Sequence, residues 1–82
     1  MYEIEFSLNA EKQLSKCNRN IQERILKTLD RIRIRPYSHI KKLVGNPYFG
    51  LRAGDYRIIL SISDEKLIIL VVEIGHRRNI YK

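Results

Sequence analysis

Apolar and polar residues alternate from the start of the chain: Tyr2, Ile4, Phe6 and Leu8 are separated by Glu3, Glu5 and Ser7. A period of two places one set of side chains on one face, so this stretch predicts a β-strand with one buried side. From Asn9 the period lengthens. Ala10, Leu14 and Cys17 recur at helical spacing, with Asn9 as a suitable N-cap, and Cys17-Asn18-Arg19-Asn20 breaks this short helix. Asn20 can cap a longer helix, whose Ile21, Ile25, Leu29 and Ile32 fall on one narrow face before Pro36 ends it.

Residues 37–47 have no period and hold Gly45 and Pro47, which predicts a loop with Lys41 and Lys42 in its middle. Three strands follow, over 48–53, 56–63 and 67–74, joined by a tight Gly54-Asp55 hairpin turn and by a second turn over 63–66. Gly75 breaks the last strand, and the tail 77–82 either continues it or makes one helical turn. The order β-α-α-β-β-β predicts an α+β fold in which a helical hairpin packs on one face of a four-stranded, mostly antiparallel sheet. The last two strands look apolar on both faces, which places them centrally.

The chain has 82 residues, so residues 1–82 are expected to form one small domain near the size where core burial becomes marginal. Its single cysteine, Cys17, excludes an internal disulfide and makes a reducing, cytoplasmic setting the simplest expectation. Cys17, His39 and His76 lack metal-ligand spacing, so neither a metal nor a cofactor is expected. The N-terminus lacks a basic segment followed by an apolar one, and the apolar runs 58–60 and 67–72 are too short to cross a bilayer.

Charge changes the picture most. There are 16 Lys and Arg against 9 Asp and Glu, a formal +7. From Arg24 to Arg57 nine basic residues face two acidic ones, Asp30 and Asp55, so that segment alone accounts for the whole excess. Such an imbalance favours a polyanionic partner. Arg24, Lys27, Arg31 and Arg35 form a flank of the second helix; each is explained by solubility alone, while the group suits phosphate contacts. Lys41, Lys42, Arg52 and Arg78 extend that set.

Arg57 interrupts an apolar strand, where an unpaired charge is penalised by desolvation. A salt bridge from Arg57 or Arg52 to Glu73 would make one of them architectural. With an even-numbered loop between the last two strands, Arg57 pairs with Val72, and Arg57 and His76 share a face. Tyr56, Ile58, Leu60, Val71 and Glu73 then share the other. Near this end also lie Arg77 and Tyr81. RNA is cut when its 2′-hydroxyl attacks the adjacent phosphorus, a reaction helped by a base, by fixed cations at the equatorial oxygens and by an acid at the departing 5′-oxygen. Arginine suits the second task; histidine, tyrosine or lysine suits the others, and tyrosine also stacks on bases.

Two stretches carry a family resemblance: Leu51-Arg52-Ala53-Gly54-Asp55-Tyr56-Arg57 and Gly75-His76-Arg77-Arg78-Asn79-Ile80-Tyr81. With the element order they make the whole chain resemble the RelE/ParE superfamily of toxin–antitoxin toxins, closest to its RelE branch. The resemblance implies a ribosome-dependent endoribonuclease, an mRNA interferase that cleaves message in the ribosomal A site and so inhibits translation. It also implies silencing by a RelB-like antitoxin, with the toxin alone monomeric and the pair forming a higher-order complex. On this resemblance Arg57 stabilises transition-state charge, Arg77 contacts the phosphate or leaving group, Tyr81 stacks on or orients the substrate, and the basic residues above face RNA and ribosome. Members can carry two lysines on the strand before the hairpin, where this chain has Tyr48 and Gly50. The proton acceptor is then His76, Tyr81, Lys41 or Lys42. A ParE-like gyrase inhibitor without nuclease activity and a non-catalytic basic RNA-binding module are the alternatives.

Overall fold

A computed structural model describes residues 1–76 of the chain. Ser7 decides where its first strand stops. The Ser7 N–H donates to Val71 O at 2.9 Å, while its hydroxyl accepts from the Ala10 N–H at 3.0 Å and donates to Val72 O at 2.8 Å. A side-chain oxygen that satisfies a donor of the first helical turn is an N-cap. β1 is therefore Glu3–Phe6 and α1 is Leu8–Ser15. The cap is Ser7 rather than Asn9, because Ser7 alone of the two also reaches the neighbouring strand, and exposed Leu8 opens the helix instead of closing the strand.

Asn18, not Asn20, caps α2 (Arg19–Arg31), its Oδ1 accepting from the Ile21 N–H at 3.0 Å. The Gln22 amide closes the corner between the helices by donating to Leu14 O and Cys17 O, each at 3.0 Å. α2 ends at Arg31, so Arg35 lies past it, beside a 3-10 turn at Pro36–Ser38.

The remaining strands are β2 (Lys41–Lys42), β3 (Phe49–Ala53), β4 (Tyr56–Ser63) and β5 (Ile68–His76). They form a five-stranded sheet in the order β1-β5-β4-β3-β2, with β1 parallel to β5 and the other pairs antiparallel. The fifth strand is β2, inside the expected loop; two residues are too few for a period to show. Ala10, Ile25, Leu29 and Ile32 pack on Leu51, Ala53, Ile58, Leu60, Ile69, Val71 and Ile74, so both helices cover one face of the sheet. β4 and β5 are internal, as their apolar middles imply.

The β4–β5 ladder contains one irregularity that redirects its end. Pairing runs from Ser63↔Ile68 to Leu60↔Val71 and resumes at Ile59↔Glu73, which leaves Val72 as the extra residue of a β-bulge. Because side chains alternate with period two, one extra residue exchanges the faces beyond it. Ser63 pairs with Ile68 rather than Lys66, which moves the register by two, and the bulge moves it by one more, so Arg57 pairs with Gly75 rather than Val72, and His76 pairs with Tyr56. His76 lies on the helix side instead of beside Arg57, while Glu73 moves to the open face. β5 also continues through Gly75 instead of ending there. The bulge is held from α1: Val72 O accepts from Ser7, and the Ile74 N–H donates to Gln13 Oε1 at 2.6 Å. β1 ends opposite Val71, so α1 supplies these partners where the neighbouring strand has run out.

At the opposite end of β5, the Tyr2 and Tyr37 hydroxyls each donate to Asp64 Oδ1 at 2.7 Å, tying β1 and the 3-10 turn to the β4–β5 loop. These bonds lower the Asp64 pKa. The Tyr37 pKa is pushed up to about 12 by partial desolvation and then by Asp64; that of Tyr2 rises chiefly through its hydrogen bond.

Two stability measurements follow from these contacts. Ser7→Ala, which removes both the cap and the bulge partner, should lower unfolding free energy by about 1–3 kcal/mol in urea titrations. The Asp64 contribution is fully present above ordinary carboxylate values near ~3.9 and is lost as pH falls through its lowered pKa; the tyrosine contributions are full below ~10 and are lost as pH rises through their raised values. The stability gap between the native chain and Asp64→Asn should therefore be widest at neutral pH and shrink at both extremes. A pH-independent gap would contradict this reading.

Candidate functional site

The sheet face turned away from the helices carries Lys41, Gly50, Arg52, Arg57, Ile59, Leu70 and Glu73, as the strand registers require. Arg52 and Arg57 are direct cross-strand partners beside the β3–β4 turn. Side chains so placed have Cβ atoms about 4.5–5.5 Å apart, and like charges there destabilise the sheet. Their charged ends part from there, Arg57 towards Gly50 and Arg52 towards Gly54, so the pair spreads positive charge along this part of the open face.

Two glycines provide seats for arginines. A Cβ built on Gly50 would lie 2.8 Å from Arg57 Nη1 and 3.2 Å from Leu43 Cδ2, so Arg57 lies down across β3 where the neighbouring strand has no side chain. Gly54 has φ +62 in the two-residue β3–β4 loop, the positive value at the first loop position that a type II′ hairpin turn needs. A Cβ there would meet Arg24 Nη1 at 2.6 Å, so Arg24 reaches from α2 to the turn, whose carbonyl, Gly54 O, accepts from Arg52 Nε at 3.4 Å. The sequence signal for the first seat is a glycine inside the apolar 48–53 run, since it marks a close approach.

The other expected site residues are divided by the sheet. His76 stacks edge-on against Tyr56, with ring centroids 5.5 Å apart and planes at 75°, on the helix side. The Tyr56 phenol has its pKa raised by burial and then by Cys17, whose thiol also donates to Gln13 O at 3.4 Å. Lys27 and Arg31 are exposed on α2, in the layer opposite Arg52 and Arg57. Lys42 turns to the helix side, its Nζ 5.0 Å from the Phe49 ring centroid and donating to Asn46 O at 3.1 Å. The ion pairs formed among the described residues are Arg33–Asp30 and Arg19–Glu23, so neither arginine bridge to Glu73 that the sequence allowed is made. Arg77, Arg78 and Tyr81 lie outside the described residues. Among the described residues no group of three or more His, Cys, Asp or Glu could hold a metal ion, and no helix is long and apolar enough to cross a membrane.

A helical hairpin on a mostly antiparallel sheet is the fold of toxins solved with their antitoxins. Residues 4–81 match the family model described as the ParE toxin of type II toxin–antitoxin systems, and the chain belongs to that family. It is 29% identical over 79 residues to the mRNA interferase toxin RelE of Escherichia coli K12, covering 93% of this chain and 83% of that protein. A putative RelE-like toxin protein of Escherichia coli is 34% identical over the same shares. The toxin in the crystal structure of the intact E. coli RelBE toxin–antitoxin complex superimposes with a TM-score of 0.79 at 27% identity, covering 93% of this chain and 96% of that one.

The Arg52–Arg57 pair generates a prediction for binding. Arg52→Gln should weaken single-stranded RNA binding, more at low salt than at high salt, while changing stability by less than about 1 kcal/mol. Urea titrations and filter binding at two salt concentrations check it.

Proposed function

We propose that this toxin is a ribosome-dependent endoribonuclease that cleaves message in the ribosomal A site and so stops translation. The observation that carries this reading is the pairing of Arg52 with Arg57 on the open face, with Arg57 seated over Gly50. The likeness to the mRNA interferase toxin RelE supports it. In the reaction the 2′-oxygen forms a bond to phosphorus as the bond to the 5′-oxygen breaks, leaving a 2′,3′-cyclic phosphate and a 5′-hydroxyl. The proton leaves the 2′-hydroxyl for a basic group and another is delivered to the 5′-oxygen. Arg57 neutralises charge that grows on the equatorial oxygens, where a fixed donor acts more strongly than in water. Arg77 contacts the phosphate or the leaving oxygen, and Tyr81 stacks on the substrate base. His76, on the other side of the sheet from Arg57, is left out of proton transfer.

The silencing partner is a RelB-like antitoxin. The outer edge of β1 pairs with no strand among the described residues. Beside it runs a groove of about 400 Å³ lined by Ile4, Phe6, Leu26, Leu29, Asp30 and Arg33, suited to an amphipathic segment. The family description as a ParE toxin favours a second reading, a gyrase inhibitor that leaves RNA intact.

The deciding experiment adds the protein to a translating extract and maps 5′ ends on the message. Codon-phased cuts support the nuclease, whereas intact message with arrested supercoiling supports the gyrase reading. Arg57→Ala and Arg77→Ala should each reduce cleavage of ribosome-bound message ~100-fold or more, the scale of losing a transition-state donor. Full cleavage by both variants would refute the assignment.

A further inference from the structure

We propose that Lys41, and not Lys42, is a further cation at the scissile phosphate besides the two arginines, acting from β2 across the position where Gly50 offers no side chain. The inference rests on the RNA-cleaving reading above. β2 is only two residues long, but its register separates the two lysines. Lys41 pairs with Gly50 and Lys42 with Phe49. Cross-strand partners share a face, so Lys41 stands on the open face with Arg57 and Arg52, while Lys42 is turned away and engaged by the Phe49 ring and Asn46 O.

The geometry around Gly50 extends the argument. Arg57 Nη1 lies 2.8 Å from where a Gly50 Cβ would be, so a larger residue at that place would have to displace the guanidinium. A cation from the next strand does not. Neighbouring strands are about 4.8 Å apart, which sets the Lys41 backbone one spacing beyond Gly50, on the far side from β4. The Lys41 side chain is exposed and makes no hydrogen bond or ion pair with any described residue. A phosphate held by Arg57 over β3 thus has an ammonium within reach on its other flank, and Lys41 shares with the arginines the charge of the pentavalent transition state. A simpler role exists for these residues: lysines on an edge strand discourage pairing with other chains. That role makes Lys41 and Lys42 equivalent, and the catalytic one does not.

Single-turnover cleavage of ribosome-bound message separates the two. Lys41→Ala should lower the rate at saturating toxin by ~100-fold or more, with the half-saturating concentration changed far less. Lys41→Arg should keep most of the rate, and Lys42→Ala should have at least a ~10-fold smaller effect on it than Lys41→Ala. Lys41→Gln, which keeps most of the stem and removes the charge, repeats the test should alanine loosen β2; urea midpoints identify that case. If the native toxin cleaves and Lys41→Gln cleaves as fast, or Lys42→Ala loses as much as Lys41→Ala, the Lys41 assignment fails and the nuclease reading stands. If the native toxin makes no cuts, both fail.

Discussion

The hydroxyl of Ser7 accepts from the first turn of α1 and donates to the carbonyl of Val72, and the arrangement of the sheet end depends on that pair of bonds. They fix where β1 becomes α1 and hold the α1 N-terminus against β5 just where the parallel partner of β5 ends. They also satisfy the carbonyl of the bulge residue, which a ladder with one unmatched residue would leave without a strand partner. Gln13, one helical stretch further on, does the same for the N–H of Ile74. The bulge is therefore held by α1, not tolerated as a defect, and it sends Glu73 to the open face and His76 to the helix side.

The open face is built on a second economy, the use of glycine beneath arginine. Gly50 and Gly54 let Arg57 and Arg24 lie close to the backbone, so that charge gathers around the β3–β4 hairpin. Arg52 and Arg57 then stand opposite each other across the ladder, their charged ends parting towards Gly54 and Gly50.

Much of this was legible in the chain. The period-two and helical stretches yield the α+β class, the helical hairpin and the internal positions of β4 and β5, because burial of apolar side chains enforces those periods wherever an element has a dry face. Arg57 stood out for a related reason: a charge in an apolar strand requires an explanation. β2 was hidden because two residues carry no period. The caps were displaced by two positions, from Asn9 to Ser7 and from Asn20 to Asn18, since local sequence permits either and contacts with β5 and the helix corner choose between them.

The spacing and composition of the chain fix both helices, the strands other than β2, the core face of each of those strands up to the bulge, and the concentration of positive charge between Arg24 and Arg57. These follow from local spacing and composition, which need no knowledge of what lies across the sheet. Which charged residues share a face depends instead on contacts across the sheet. One unmatched residue at Val72 exchanges the two sides of β5, and the pairing of β2 with β3 separates Lys41 from Lys42. Both are facts of register, set by partners remote in sequence, and a period of two turns each single-residue difference into opposite sides of the sheet.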